Sequence, residues 1–155
     1  MITEHNLMQH IKSKHIIKAK EVYDYNDKIV IVSKYMSGGD LHKYLKNWHL
    51  KLSEESCRYM VYIIASAIKD LHDIGLIHRD LKSDNVLIRP DDGKLLLGDL
   101  GLTTTMYKNA YRKTMQGTLI FMAPEMLDGL IYNQSIDFWG LGIIMYEIAY
   151  GQPPF

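Results

Sequence analysis

The segment Ile136–Tyr150 constrains the fold of this 155-residue chain most, because as a helix it is apolar on nearly every side. Such a helix needs neighbours around it. Met126 and the aromatic residues of 138–146 are accordingly expected in the core. A second helix supplies packing surface. Ser53 is a plausible N-cap, and Glu54 and Glu55 in the first turn suit the helix dipole. Met60, Ile64, Ala67, Ile68 and Leu71 then form one apolar stripe, and Gly75 ends the run. The length, with 47% apolar residues, allows one domain with a sizeable core.

Around these helices the pattern is mixed. Residues 3–13 suit a short helix through Leu7, Met8 and Ile11. Two β-like runs, Ile16–Tyr23 and Lys28–Tyr35, flank Asp24-Tyr25-Asn26-Asp27 and predict a hairpin. Ser37-Gly38-Gly39 breaks the second run, and Asp40–Trp48 reads as a short helix. Val86-Leu87-Ile88 and Leu95-Leu96-Leu97 flank Pro90-Asp91-Asp92-Gly93, a tight-turn signal. Residues 99–125 show no sustained period and read as a long loop, which inside a compact chain is usually functional. No repeat or Ser/Gly-rich linker interrupts the chain. The expected class is α+β with a helical majority.

Charge and cysteine content exclude several functions. Eighteen Lys and Arg balance 18 Asp and Glu, so no overall field draws the chain to nucleic acid or to an anionic membrane. Cys57 is the one cysteine and cannot form an internal disulfide. Met1-Ile2-Thr3-Glu4 does not begin a signal peptide, and the apolar stretch Tyr59–Ile68 has about half of the ~20 residues of a membrane helix. An intracellular, cytoplasmic protein without membrane insertion is expected.

The chemistry concentrates in three motifs. His78-Arg79-Asp80-Leu81-Lys82-Ser83-Asp84-Asn85 lies between the long helix and a strand and matches H-R-D-L-x-x-x-N. Asp99-Leu100-Gly101 follows beyond the predicted β-turn, a variant of D-F-G, and Ala123-Pro124-Glu125 closes the long loop in the A-P-E position. In this order and context they give a chain that resembles a eukaryotic-type protein kinase. Phosphoryl transfer asks a protein mainly to position groups and neutralise charge. The resemblance implies ATP and Mg²⁺ as cofactors. Asp80 would accept the substrate hydroxyl proton, Lys82 would neutralise charge on the transferred phosphoryl group, and Asp99 and Asn85 would offer oxygen ligands to Mg²⁺.

The resemblance extends in both directions. Glu4 has the position of the glutamate in kinase helix C, the ion-pair partner of the ATP-contacting lysine. Ser33 resembles the gatekeeper, Lys34-Tyr35-Met36 the hinge whose backbone holds adenine, Asp40 a residue near the ribose and Leu87 the apolar floor under adenine. Met8, His78 and Leu100 resemble members of the packed spine linking the lobes, and Asp137 the helix F aspartate that hydrogen-bonds catalytic-loop backbone. Lys82, together with Gly117-Thr118, follows the serine/threonine pattern, with Thr118 bonding Asp80. The stretches HRDLKSDNVL and KTMQGTLIFMAPEM look most like the STE group, especially its p21-activated branch. There Thr114 would be the activating phosphosite, paired with Arg79 after modification by an upstream kinase. Partners would be protein substrates bearing Ser or Thr.

Two features of the family pattern are missing. Neither the Gly-rich loop nor the V-A-I-K lysine stands before Glu4, and the chain stops at Pro153-Pro154-Phe155. The expected architecture is therefore a truncated kinase-like fold. Residues 1–36 would be the end of the N-lobe (helix C and a β-hairpin) with the hinge, and 37–155 the first part of the helical C-lobe. Such a fragment alone is expected to be inactive while its parent chain is active. The alternative is a pseudokinase-like binding or scaffold module.

Overall fold

The computed structural model describes residues 11–26, 28–48, 52–105 and 118–155. Strand β1 (Ala19–Tyr25) pairs antiparallel with β2 (Lys28–Ser33), with Tyr25 opposite Lys28 and Ala19 opposite Ser33. Asn26, at φ 48°, begins the turn between them; asparagine is among the few residues that tolerate this left-handed conformation. The helical part follows. Helix α1 spans Leu41–Trp48 and α2 spans Glu54–Asp73, with Ser53 Oγ accepting the Ser56 amide as an N-cap. Gly75 at φ 75° lets the chain turn out of α2 into β3 (Leu76–Ile77).

A tight hairpin joins β4 (Val86–Ile88) to β5 (Leu95–Leu97). Its turn is held by the Arg89 guanidinium, which donates to both carboxylate oxygens of Asp92 at 2.7 Å. Those charge-assisted bonds hold the Asp92 carboxyl well below the ordinary carboxylate range. Farther on, β6 (Thr104–Thr105) pairs with β3. The remaining helices are α3 (Pro124–Leu127) and α4 (Ser135–Tyr150), the latter stopped by Gly151 at φ 76°.

The main core lies between α2 and α4. Ile64, Ala67, Ile68 and Leu71 of α2 meet Ile143, Ile144 and Ile148 of α4, with Leu41 and Leu45 of α1 and Leu97 of β5 closing the cluster. Each fully buried Leu or Ile contributes about 1.5–3 kcal/mol. A smaller cluster of Met122, Met126, Tyr132 and Ile136 anchors α3. The β1–β2 hairpin is stitched to this body through the segment before it. The Ile17 amide donates to the Leu97 carbonyl, and the Leu97 amide to the His15 carbonyl, both at 2.8 Å.

Three expectations need correction. Residues 11–13 are not helical, and the rest of the predicted helix 3–13 lies outside the described residues. The expected loop 99–125 contains β6, short 3₁₀ turns at Leu100–Leu102 and Leu119–Phe121, and the start of α3. Helix α4 is not buried all round. Ile136, Gly140, Ile143, Ile144, Glu147 and Ile148 are covered, whereas Phe138, Trp139, Met145 and Tyr146 are exposed. A helix apolar on every side carries no pattern that selects a face. Close approach selects it instead: a Cβ added at Gly140 would lie 2.8 Å from the Leu81 carbonyl oxygen. Among the described residues no helix is long and apolar enough to cross a membrane.

Two alanine substitutions in α4 should have opposite signs. Gly140→Ala forces the helix away from Leu81 and should lower stability by about 1–3 kcal/mol. Gly142→Ala meets nothing within 4 Å and should raise it by about 0.5–1 kcal/mol. Urea midpoints of the two variants test the pair; equal shifts would mean that Gly140 is not the contact that seats the helix.

Candidate active site

The site is built on one buried carboxylate. Asp137, in the first turn of α4, accepts the His78 amide at 2.9 Å on Oδ2 and the Arg79 amide at 3.0 Å on Oδ1. Oδ2 also lies 2.8 Å from His72 Nε2 at the end of α2. One side chain thus joins two helices to the loop that follows β3. His78 is fully buried; its Nδ1 accepts the Asp80 amide at 3.3 Å, which leaves the ring proton on Nε2, 3.2 Å from the Gly98 carbonyl. Arg79 occupies φ 71°, a strained conformation for arginine, and its Nε donates to the Leu102 carbonyl at 2.6 Å.

Asp80 is held on every side. Its Oδ2 accepts Asn85 Nδ2 at 3.1 Å and Lys82 Nζ at 3.0 Å, and its Oδ1 accepts the Thr118 amide at 3.3 Å. Asn85 Nδ2 also donates to the Asp80 carbonyl at 2.8 Å. Both of these amide hydrogen bonds use the nitrogen, so the Asn85 oxygen is turned away from Asp80. The expected Thr118–Asp80 bond is made by the Thr118 backbone, while its hydroxyl accepts Lys82 Nζ at 3.0 Å.

Asp99 is arranged differently. It is exposed, at φ 47°, and among the described residues its Oδ1 accepts one long 3.3 Å bond, from the Gly101 amide. The neighbouring Gly98 amide donates to the Asn85 carbonyl at 2.8 Å, so Asn85 and Asp99 lie at the same end of the β4–β5 hairpin. Leu100, where the family has phenylalanine, is buried in the main core and fills an apolar slot. A cavity of about 260 Å³ opens beside Asp99, walled by Leu87, Leu100, Ser33, Ile31, Ala19 and Ile17.

The expected hinge, Lys34-Tyr35-Met36, follows directly on β2. Lys34 Nζ pairs with Asp91 at 2.6 Å, and Met36 is buried with its carbonyl accepting the Gly39 amide at 3.1 Å. Asp40 caps α1, with the Lys43 amide on Oδ1 at 2.9 Å and Lys43 Nζ on Oδ2 at 2.8 Å. Burial pushes the Asp40 carboxyl up, but the Lys43 bonds outweigh it and leave it below its ordinary value. Among the described residues, the wall of this cavity does not include Lys34, Met36 or Asp40. Glu4, Met8 and Thr114 lie outside the described residues.

The protein kinase domain family matches residues 1–155, the whole of the sequence. The chain belongs to the protein kinase family. It is 34% identical to the probable serine/threonine-protein kinase fhkC of Dictyostelium discoideum, over 100% of this chain and 27% of that protein. It is 35% identical to human NUAK family SNF1-like kinase 1, over 98% of this chain and 23% of the relative. With the serine/threonine-protein kinase ULK3 of Rattus norvegicus the identity is 32%, over 100% of this chain and 33% of the relative. The kinase chain thus spans about a quarter to a third of the length of these relatives.

Ile17, Ala19 and Ile31 on the cavity wall, and His72 beside Asp137, escape the motifs. Ile17 and Ala19, with Ile31 and Ser33, put alternate residues of two neighbouring segments on the cavity wall. Their period of two was a usable signal. His72, the third contact of Asp137, belongs to no motif quoted above, and only the packing of α2 on α4 reveals it.

Replacing Asp137 by alanine orphans the His78 and Arg79 amides. At about 1–3 kcal/mol for each lost acceptor, Asp137→Ala should cost about 2–6 kcal/mol, with Asp137→Asn in between. Amide hydrogen exchange at His78 and Arg79 should quicken selectively. Unchanged protection there would show that the loop is held by something else.

Proposed function

We propose that this chain is the central part of a serine/threonine protein kinase that transfers the ATP γ-phosphate to Ser or Thr hydroxyls of protein substrates. In this reading residues 1–36 are the end of the N-lobe and the hinge, and 37–155 are part of the C-lobe. The observation that carries it is the contrast between Asp80, gripped by three groups, and Asp99, exposed at the mouth of an apolar cavity. A fixed carboxylate suits orientation of a substrate hydroxyl. An open one suits a hydrated cation carried in by a nucleotide.

The donor set fits magnesium. Asp99 offers a carboxylate and Asn85 an amide oxygen not engaged with Asp80, both hard oxygen ligands. Magnesium typically takes one or two protein ligands and completes its shell with phosphates and water, and when bound it supplies charge neutralisation at the phosphates. Lys82, between Asp80 and Thr118, is placed to follow charge on the phosphoryl group and to hold the substrate side of the site together. Leu87 and the β1–β2 residues give the base an apolar bed. Activation at Thr114 by an upstream kinase, and the likeness to the p21-activated branch, belong to the same proposal.

Phosphate transfer from labelled ATP to Ser/Thr peptides, measured with the protein at its full native length, tests this reading. Asp80→Asn should lower kcat by about 10²–10⁴-fold while leaving nucleotide binding intact. Asp99→Asn should instead raise the magnesium concentration needed for nucleotide binding. Nucleotide binding without Asp80-dependent transfer would favour the non-catalytic binding module.

A further inference from the structure

The charges of this chain sum to zero, yet they are not evenly spread. Lys12, Lys14, Lys18 and Lys20 crowd the segment leading into β1, all exposed, and none forms an ion pair among the described residues. Lys14 stands where three depressions meet. One runs along Lys12 and Lys18, a second reaches Lys20, Lys34 and Arg89, and a third is bounded by His15, Arg89 and Lys94. The acids nearby are already engaged. Asp91 pairs with Lys34, Asp92 with Arg89 and Lys94, and Asp70 with His15 and Ser13. Among the described residues, the uncompensated charge of the band is therefore that of its four lysines.

The third depression, of about 300 Å³, has an apolar floor of Ile63 and Leu95 between the rings of Tyr59 and Tyr62. That volume takes one large apolar side chain, and the tyrosine hydroxyls and the cations stand around it as a polar rim. A flat membrane cannot reach such a recessed floor. A phosphodiester chain would satisfy the lysines but leave the floor uncovered.

We propose that this face, on the side of the β4–β5 hairpin away from Asp80, is a docking site for an acidic peptide segment carrying a single large apolar residue. The carboxylates lie along Lys12, Lys14, Lys18 and Lys20, and the apolar side chain enters between Tyr59 and Tyr62. Ile17 belongs both to the wall of the cavity beside Asp99 and to the lining of the lysine band, so the docked segment lies directly behind that cavity.

The test uses the full-length protein and a fluorescein-labelled peptide of four glutamates flanking one phenylalanine, followed by fluorescence anisotropy. Binding should weaken about tenfold or more with Lys14→Glu, and weaken steeply with added salt. It should also weaken about tenfold when the peptide phenylalanine is replaced by alanine, through loss of the buried ring. Lys46→Glu, the same charge change at an exposed position of α1, is the control and should have little effect; both variants change exposed positions, and circular dichroism checks their fold. Equal loss with Lys46→Glu, indifference to the phenylalanine, no binding at all, or tighter binding of single-stranded RNA or anionic vesicles than of the peptide would each overturn the proposal.

Discussion

The carboxylate of Asp137 is the interaction on which the rest of this structure depends. It is almost wholly buried and spends its oxygens on two consecutive backbone amides and one imidazole. An unpaired carboxylate at that depth would cost several kcal/mol, so the loop His78–Asp80 has to come to it. Gly140, one turn farther along α4, permits the close approach by giving Leu81 room against the helix backbone. The apolar face of α4 then seats on α2, and the loop is fixed relative to both helices. What looks in sequence like a hydrophobic helix is the platform of the candidate site, and Asp137 together with Gly140 sets its rotation.

From that platform the two aspartates are given different freedoms. Asp80 accepts from an amide, an ammonium and a backbone N–H, a set that fixes its orientation before any ligand arrives. Preorganisation of this kind is worth most where charge develops during a reaction. Asp99 sits at the same end of the β4–β5 hairpin as Asn85, and among the described residues its carboxylate takes one long bond from the Gly101 amide. Among the described residues, apart from Asn26 in its turn, the non-glycine residues with positive φ are Arg79 and Asp99, immediately before one aspartate and at the other. Left-handed strain of about 1–3 kcal/mol per residue has to be offset by the surrounding contacts, here the Asp137 bonds and the burial of Leu100.

Local signals in the sequence carried far. The Ser53 cap, the α2 stripe, the Gly75 exit and the turn at Pro90–Gly93 are each written in a few neighbouring residues and appear as read. The link from Asp137 to the His78–Arg79 backbone was legible because its motif fixes both ends. Contacts between residues distant in sequence and outside any motif were not. The bonds of the His15–Ile17 backbone to Leu97 and the Lys34–Asp91 pair depend on where three segments happen to converge. For Asp40 the contact is local: a carboxylate one residue before a helix, with a lysine three residues on, finds a partner in its own turn. The exposed face of α4 was illegible for a different reason, since a uniform apolar surface has no periodicity to read.

Net charge misleads in a related way. A balance of 18 against 18 says that no long-range field pulls the whole chain toward a polyanion. It says nothing about fields within a screening length of about 8–10 Å, the range over which docking is decided. Between Lys12 and Lys20 the sequence carries four lysines and no acid, and folding adds Arg89 and Lys94 from a hairpin more than sixty residues away. Those two cations arrive already paired with Asp92, whose carboxyl the Arg89 fork keeps ionised. Hence the hairpin contributes shape and aromatic neighbours more than free charge, and the lysines contribute charge with little shape. A ligand that gains from both has to be acidic and apolar at once, which a uniform polyanion is not.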